Sequence, residues 1–341
     1  MVRVVRASQA ELEAAVDALR DGDLVAFPTE TVYGLGANAS NPAAVRKVFE
    51  LKERPPSHPV IVHIDERRFL RRWVREVPPR ADLLAEAFWP GPLTLVLPRS
   101  DTVHDILTGG QDSIAMRIPS HPMARQLLNA FGGGIAAPSA NRFGRLSATR
   151  AEHVQDEFGD AVKVILDGGE CQVGLESTIV SCLDDSIRLL RPGAITLGQL
   201  RAVVGEVLIG ADRNVPRVPG STVAHYAPTT PLAIVPGGEL DALAESLSER
   251  GQRIAVLAQR LPLKTYQYVT WINTGKRAES YAHDLYSNLR TLDKAGCARI
   301  LVQEVPGDER WDAIRDRLAR AAAAAMTPVN DGAEFATGVL P

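Results

Sequence analysis

Pro28-Thr29-Glu30-Thr31-Val32-Tyr33-Gly34-Leu35-Gly36 follows directly on Leu24-Val25-Ala26-Phe27, a short apolar run of strand type. Pro28 ends regular pairing, and hydroxyl residues then alternate with a carboxylate and a phenol. A strand that stops in such a loop sets polar groups at the end of a sheet. Thr29, Glu30, Thr31 and Tyr33 suit a small polar ligand there, and Gly34 and Gly36 allow a second backbone, or that ligand, to come close. The same nine residues also suit an ordinary strand-to-helix turn, so the surrounding chain has to decide between the two.

Upstream, Ser8-Gln9-Ala10-Glu11 is a capping box, followed by the helical stripe Leu12, Ala15, Val16 and Leu19 and a stop at Gly22. Downstream, Asn41-Pro42 opens a helix that runs to about Leu51. It leads into Lys52-Glu53-Arg54-Pro55-Pro56-Ser57-His58-Pro59, where three prolines hold Lys52, Arg54 and His58 on a stiff extended loop. Strands are expected at residues 60–64, with His63 near the end, at 93–97, and at 113–119, where Arg117 faces away from Met116. A cation inside an apolar strand is costly unless an anion meets it, so Arg117 is a candidate for binding carboxylate or phosphate. A helix from His121-Pro122 to about Phe131, a strand at 135–137, the loop Pro138-Ser139-Ala140-Asn141 and a strand at 162–166 come next. A hairpin then pairs 177–181 with 187–191 across Asp184-Asp185, and a helix covers 196–204.

Between residues 205 and 231 the periodicity lapses and prolines gather, which marks a stiff connector between a first domain at 1–204 and a second at 232–341. The second alternates strand and helix, a small parallel α/β domain of Rossmann-like layout. It has no G-x-G-x-x-G, and Asn273-Thr274-Gly275-Lys276-Arg277 lacks the spacing of a phosphate loop. The domain therefore reads as a cover or regulator.

With 341 residues, 45% apolar and 23% charged, the chain has the composition of an ordinary globular protein, and a formal charge of -3 argues against bulk electrostatic coating of nucleic acid. Residues 45–80, with ten Lys or Arg against five Asp or Glu, are a locally basic stretch. No signal-peptide core or membrane-length apolar run is present, so the expected location is cytoplasmic. Cys171, Cys182 and Cys297 show neither disulfide nor zinc spacing and read as buried structural thiols. What recurs is a set of anion-binding and polar groups on strand ends and stiff loops: Thr31, Lys52, Arg54, His63, Arg117, Ser139, Asn141, Ser177 and Arg191. If these converge, the pocket holds several cations, many hydroxyls and few carboxylates, which suits phosphates and an amino-acid carboxylate.

Six blocks, at residues 28–36, 52–63, 88–97, 137–141, 177–180 and 191–193, resemble in order and spacing the YrdC-like family, specifically its two-domain threonylcarbamoyl-AMP synthases. His225-Tyr226-Ala227-Pro228 resembles the family's interdomain motif, and residues 289–293 and 316–322 its C-terminal domain. The resemblance implies a twisted mixed sheet with helices and a large concave cleft, joined to the smaller Rossmann-like domain. It also implies a nucleotidyltransferase reaction in which L-threonine, bicarbonate and ATP give threonylcarbamoyl-AMP and pyrophosphate, with Mg²⁺ carried mainly by the phosphates. A partner transferase complex would then modify tRNA, so tRNA is a possible but indirect partner; no membrane is involved. Carried over by position, Lys52 and Arg54 would be catalytic. Threonine would meet Thr31, His63, Arg117, the backbone of Ala137, and Ser177. ATP would meet Lys52, Arg54, His58, Ser113, Ser139, Asn141, Ser147 and Arg191, with Tyr226 closing over it. Ser221-Thr222-Val223-Ala224 departs from the basic or aromatic residues of many relatives. The alternative is an RNA-binding or accessory module, for which the basic stretch offers only Phe49, Phe69 and Trp73 as stacking residues.

Overall fold

The computed structural model describes residues 3–6, 8–210 and 215–326; the remaining parts of the expected domains and connector lie outside the described residues. Eleven strands form one mixed sheet: β1 (Arg3–Arg6), β2 (Val25–Phe27), β3 (Gly34–Asn38), β4 (Ile61–His63), β5 (Leu93–Pro98), β6 (Ser113–Arg117), β7 (Ile135–Ala136), β8 (Val164–Asp167), β9 (Thr178–Ser181), β10 (Arg188–Arg191) and β11 (Leu208–Ile209). Their spatial order is β1-β8-β2-β3-β7-β4-β6-β5-β9-β10-β11.

The helix starts follow from local chemistry. Asn41 Oδ1 accepts from the N–H groups of Ala43 (3.0 Å) and Ala44 (3.2 Å), capping the helix Pro42–Lys52. That helix ends at Glu53, in the left-handed region with φ 54°, which turns Arg54 inward. Helices Pro79–Phe88 and Ala151–Phe158 add to those expected.

The polar loop after β2 is shorter than expected. It spans only residues 28–33, because Gly34–Asn38 is strand β3, antiparallel to β2, with Phe27 opposite Gly34 and Val25 opposite Gly36. A Cβ on Gly36 would stand 2.8 Å from Phe27 Cε1 and 2.9 Å from Ile135 Cγ2. Gly36 therefore makes room for a packed ring inside a strand, not for a ligand.

Strand alternation sorts the central residues between two faces. Val62, Leu95, Met116 and Val180 enter the main hydrophobic core, where each fully buried large apolar side chain contributes about 1.5–3 kcal/mol. Their neighbours Ile61, His63 and Arg117 turn to the opposite face and line a cavity.

The second sheet contains β12 (Leu232–Val235), β13 (Ile254–Ala258), β14 (Val269–Asn273) and β15 (Arg299–Gln303), all parallel, in the order β12-β15-β13-β14. Helices Leu240–Glu249, Ala278–Asp293 and Asp312–Met326 accompany it. Tyr281, Leu285, Leu289, Ile314 and Leu318 are buried in a cluster that also takes in Val32, Leu146, Leu175 and Tyr226, so one apolar cluster joins the two sheets. The connector is more structured than expected: β11 pairs parallel with β10, and the chain then folds back over the first sheet. Cys171 and Cys182 are buried and Cys297 is half-buried, all as free thiols. Among the described residues, no helix is long and apolar enough to cross a membrane.

Candidate functional site

The loop at residues 28–33 is shaped by its own hydroxyls. Thr29 Oγ1 donates to Val32 O (2.6 Å) and accepts from the N–H groups of Thr31 and Val32 (both 3.2 Å). This aims Thr31 and Glu30 at β6. Arg117 Nη1 donates to Thr31 Oγ1 (2.9 Å), its Nε donates to Gly91 O (3.2 Å), and its Nη2 stands 2.7 Å from Glu30 Oε1. Glu30 Oε2 accepts from the Ser120 N–H (3.1 Å). Arg117 and Glu30 are both buried, so the cation expected to await a ligand already has a carboxylate of its own. Its remaining N–H groups are what a second anion can use.

The cavity beside this pair retains about 40 Å³, room for a few waters. Of the residues singled out in the sequence, Thr29, Thr31, Tyr33, Gly34, Arg54, His63, Arg117, Ala137, Ser139, Ser177, Arg191 and Tyr226 line it. Lys52 lies one contact behind: its Nζ donates to Ser139 O (2.6 Å) and to Asn141 O. Asn141 in turn donates to Arg142 O (2.7 Å) and Arg145 O (2.9 Å), which shapes the loop that carries Ser139. Ser147 is buried and donates to Glu176, and His58 is separated from His225 by the ring of Phe143. Ser113 stands apart, at the start of β6 and roughly 13 Å along the strand from Arg117. The expected wide cleft is closed, because Pro219, Gly220, His225 and Tyr226 of the connector form the remaining wall. Gly220 is needed for this fold-back: its φ is +78°, and a Cβ there would fall 2.0 Å from Tyr226 Oη.

The charge balance is uneven. Lys52, Arg54 and Arg191 are buried, and their polar contacts within hydrogen-bond distance are to carbonyl or hydroxyl oxygens. None of the three forms an ion pair among the described residues. Burial lowers the pKa of each, and Arg54 falls to about 10 with Arg191 adding to the effect. Arg54 Nε, His63 Nδ1, Asn141 Oδ1 and His225 Nδ1 are buried without a hydrogen-bond partner among the described residues. The basic stretch at 45–80 thus divides: Lys52 and Arg54 turn inward, while Arg67, Arg68, Arg71, Arg72 and Arg75 stay on the surface.

Glu176, absent from the expected site residues, is the carboxylate that lines the cavity itself, whereas Glu30 reaches it only through Arg117. Burial opposes its ionisation, but Arg317 and then Arg191 overcome that and hold its pKa at about 2. No local signal marked it, since its main partner lies 141 residues away. Both carboxylates are thus committed to arginines. A trio of candidate metal ligands, Glu170, His283 and Asp284, lies outside the cavity, and Arg150 already pairs with Glu170 at 2.9 Å.

Burial holds His63 and His225 at about 3, with Arg117 adding to the shift of His63. Both stay neutral in the folded chain while the unfolded chain protonates near 6.5. Their contribution is complete above that value and is lost as pH falls towards 3. We expect the thermal midpoint to hold from pH 8 to about 7 and then to fall, each histidine withdrawing about 1.4 kcal/mol per pH unit. A midpoint that is flat from pH 7 to 5 would show that these side chains are not held neutral.

The Sua5–YciO–YrdC family model, described as telomere recombination, matches residues 17–193, and the model described as threonylcarbamoyl-AMP synthase, C-terminal domain, matches residues 195–323. A threonylcarbamoyl-AMP synthase of Pyrococcus abyssi is 37% identical over 327 residues, covering 93% of this chain and 95% of the relative. One from Bacillus subtilis is 41% identical over 321 residues, covering 92% and 93%. The crystal structure of P. abyssi Sua5 complexed with L-threonine is similar at a TM-score of 0.88 and 36% identity, covering 95% of this chain and 98% of that one.

Proposed function

Because this chain belongs to the YrdC-like family in its two-domain threonylcarbamoyl-AMP synthase form, we propose that the cavity under the connector joins L-threonine, bicarbonate and ATP into threonylcarbamoyl-AMP, releasing pyrophosphate. The observation that carries this reading is the group of three buried cations, Lys52, Arg54 and Arg191, that lack carboxylates of their own. Arg54 depresses the pKa of Lys52, and Arg191 that of Arg54, so neighbouring cations repel one another and a triphosphate would relieve that repulsion.

The chain's residues divide the work. Arg117 holds the threonine carboxylate through its remaining N–H groups, and the hydroxyls of Thr31 and Ser177 with the backbone of Ala137 orient the amino acid. Neutral His63 lies beside the threonine and adds no charge. The threonine amine and bicarbonate give a carbamate with loss of water. A carbamate oxygen then attacks the α-phosphorus and pyrophosphate leaves, a nucleotidyl transfer. Lys52, Arg54 and Arg191 stabilise the charge that develops, and Ser139 and Asn141 shape the loop against the nucleotide. Mg²⁺ arrives on the ATP phosphates as part of the substrate, which fits a site where Glu176 in the wall and Glu30 beside it are both paired with arginines. His225 and Tyr226 have to lift for a nucleotide to enter, because the closed cavity is far smaller than ATP. A separate transferase would then deliver the threonylcarbamoyl group to tRNA.

The test is pyrophosphate release from ATP by the purified chain, with and without L-threonine and bicarbonate, and with L-serine in place of threonine. Release that requires both co-substrates and prefers threonine is expected. Release indifferent to threonine, or none from folded protein, would overturn the reading.

A further inference from the structure

Glu176 immediately precedes Ser177, and its carboxylate is held mainly by the other domain. Tyr286 donates its hydroxyl to both oxygens, at 3.2 and 3.0 Å, and Arg317 Nε donates to Oε2 at 2.7 Å. Ser147 is the first domain's own donor to it. Tyr286 belongs to the helix Ala278–Asp293 and Arg317 to the helix Asp312–Met326. Only 1% of Arg317 is exposed, and its contacts spread across the wall: Nη2 donates to Pro192 O at 3.2 Å, and the guanidinium lies 4.9 Å from the centre of the Tyr226 ring. Arg191 clamps the carbonyl of Ser177 from the other side, through Nε at 3.1 Å and Nη2 at 2.9 Å. The segment 176–177 is therefore gripped between an arginine of the first domain and an arginine of the second.

We propose that Arg317, assisted by Tyr286, is a positioning residue of the synthase site: by fixing Glu176 it sets Ser177, and by supporting Tyr226 it sets the wall opposite. The second domain is then a working part of the site, and not merely a cover. The proposal rests on the synthase reading above for its effect on turnover, whereas the grip on residues 176–177 can be measured independently of any reaction. A purely packing role would not require a charged, hydrogen-bonding group at this point. It would affect how much protein folds, without affecting how well folded protein handles threonine.

Four variants of the full chain test it: Arg317→Met, Arg317→Lys, Glu176→Gln and the double variant Glu176→Gln/Arg317→Met, which removes both charges of this ion pair together should the single changes impair folding. Per folded molecule, Arg317→Met is expected to lower kcat/KM for L-threonine by about a hundredfold, as small misplacements in a reacting site do, with part of the loss in the KM for threonine. Arg317→Lys should recover much of that, and the loss in the double variant should fall well short of the product of the two single losses, since both changes break the Glu176–Arg317 contact. Amide hydrogen exchange over residues 173–178 should quicken in Arg317→Met. Threonine kinetics like those of the wild type, a Lys variant as poor as Met, additive losses in the double variant, or unaltered exchange would each overturn the proposal. If the wild type itself makes no pyrophosphate from threonine, the synthase reading is what fails, and the exchange measurement still decides whether Arg317 holds this segment.

Discussion

Lys52→Ala is expected to cut threonine-dependent pyrophosphate release by about a thousandfold, the upper range for loss of a single preorganised donor, while changing stability little. The two halves of this expectation have one cause. Lys52 is buried with Nζ against two backbone carbonyls, and burial followed by the nearby Arg54 lowers its pKa well below the usual lysine value. A buried ammonium without a carboxylate is costly to the folded chain, so removing it offsets the loss of hydrogen bonds to Ser139 O and Asn141 O. For the proposed reaction the same charge is an asset, since it stands behind the loop that faces the phosphates. Turnover under saturating ATP and threonine, beside a thermal melt, checks both halves. Undiminished turnover would remove Lys52 from the phosphate site; a collapsed melt would make it a structural residue instead.

Glu30→Ala should do the reverse and act first on stability, by about 3–5 kcal/mol, the usual result of removing one member of a buried ion pair. Arg117 would keep its charge in a position almost closed to solvent, and the Ser120 N–H would lose its acceptor. For a domain of this size that corresponds to a fall of roughly 10 °C in the unfolding midpoint. Adding the conservative variant Glu30→Gln separates charge from hydrogen bonding: Gln can still accept from Ser120 but cannot neutralise Arg117. Its midpoint should therefore lie nearer Ala than wild type. A loss below about 1 kcal/mol for Glu30→Ala would mean that the pair is hydrated in solution and behaves as a surface bridge.

Much of this was legible in the sequence wherever the signal was local. The capping box at Ser8, the Asn41-Pro42 helix start, the hairpin between β9 and β10 and the α/β alternation after Pro231 each depend on residues within a few positions of one another. Alternation alone assigned Arg117 and Met116 to opposite faces, which is where they lie. β3 escaped notice because Gly-Leu-Gly-Ala-Asn has little strand propensity; what makes it a strand is the ring of Phe27 filling the space above its glycines. The pairing of Arg117 with Glu30 escaped for a different reason. Each residue was recognised as a candidate, yet their partnership spans 87 positions and exists only once β2 and β6 stand in one sheet. Glu176 is the extreme case, since Tyr286 and its ion-pair partner Arg317 belong to another domain.

The alternation of β4, β5 and β6 also constrains how such a chain can change over time. His63 and Val62, Arg117 and Met116, Thr94 and Leu95 are neighbours in sequence that belong respectively to the polar face and the core. Insertion or loss of a single residue within any of these strands would exchange the two sets, putting a methionine where the polar groups gather and a guanidinium into the oil. Point changes can be tried one at a time, but a shift in reading position damages both faces at once. Lineages carrying this architecture should therefore accumulate length differences in the turns and in the connector, while the spacing within β4, β5 and β6 stays fixed.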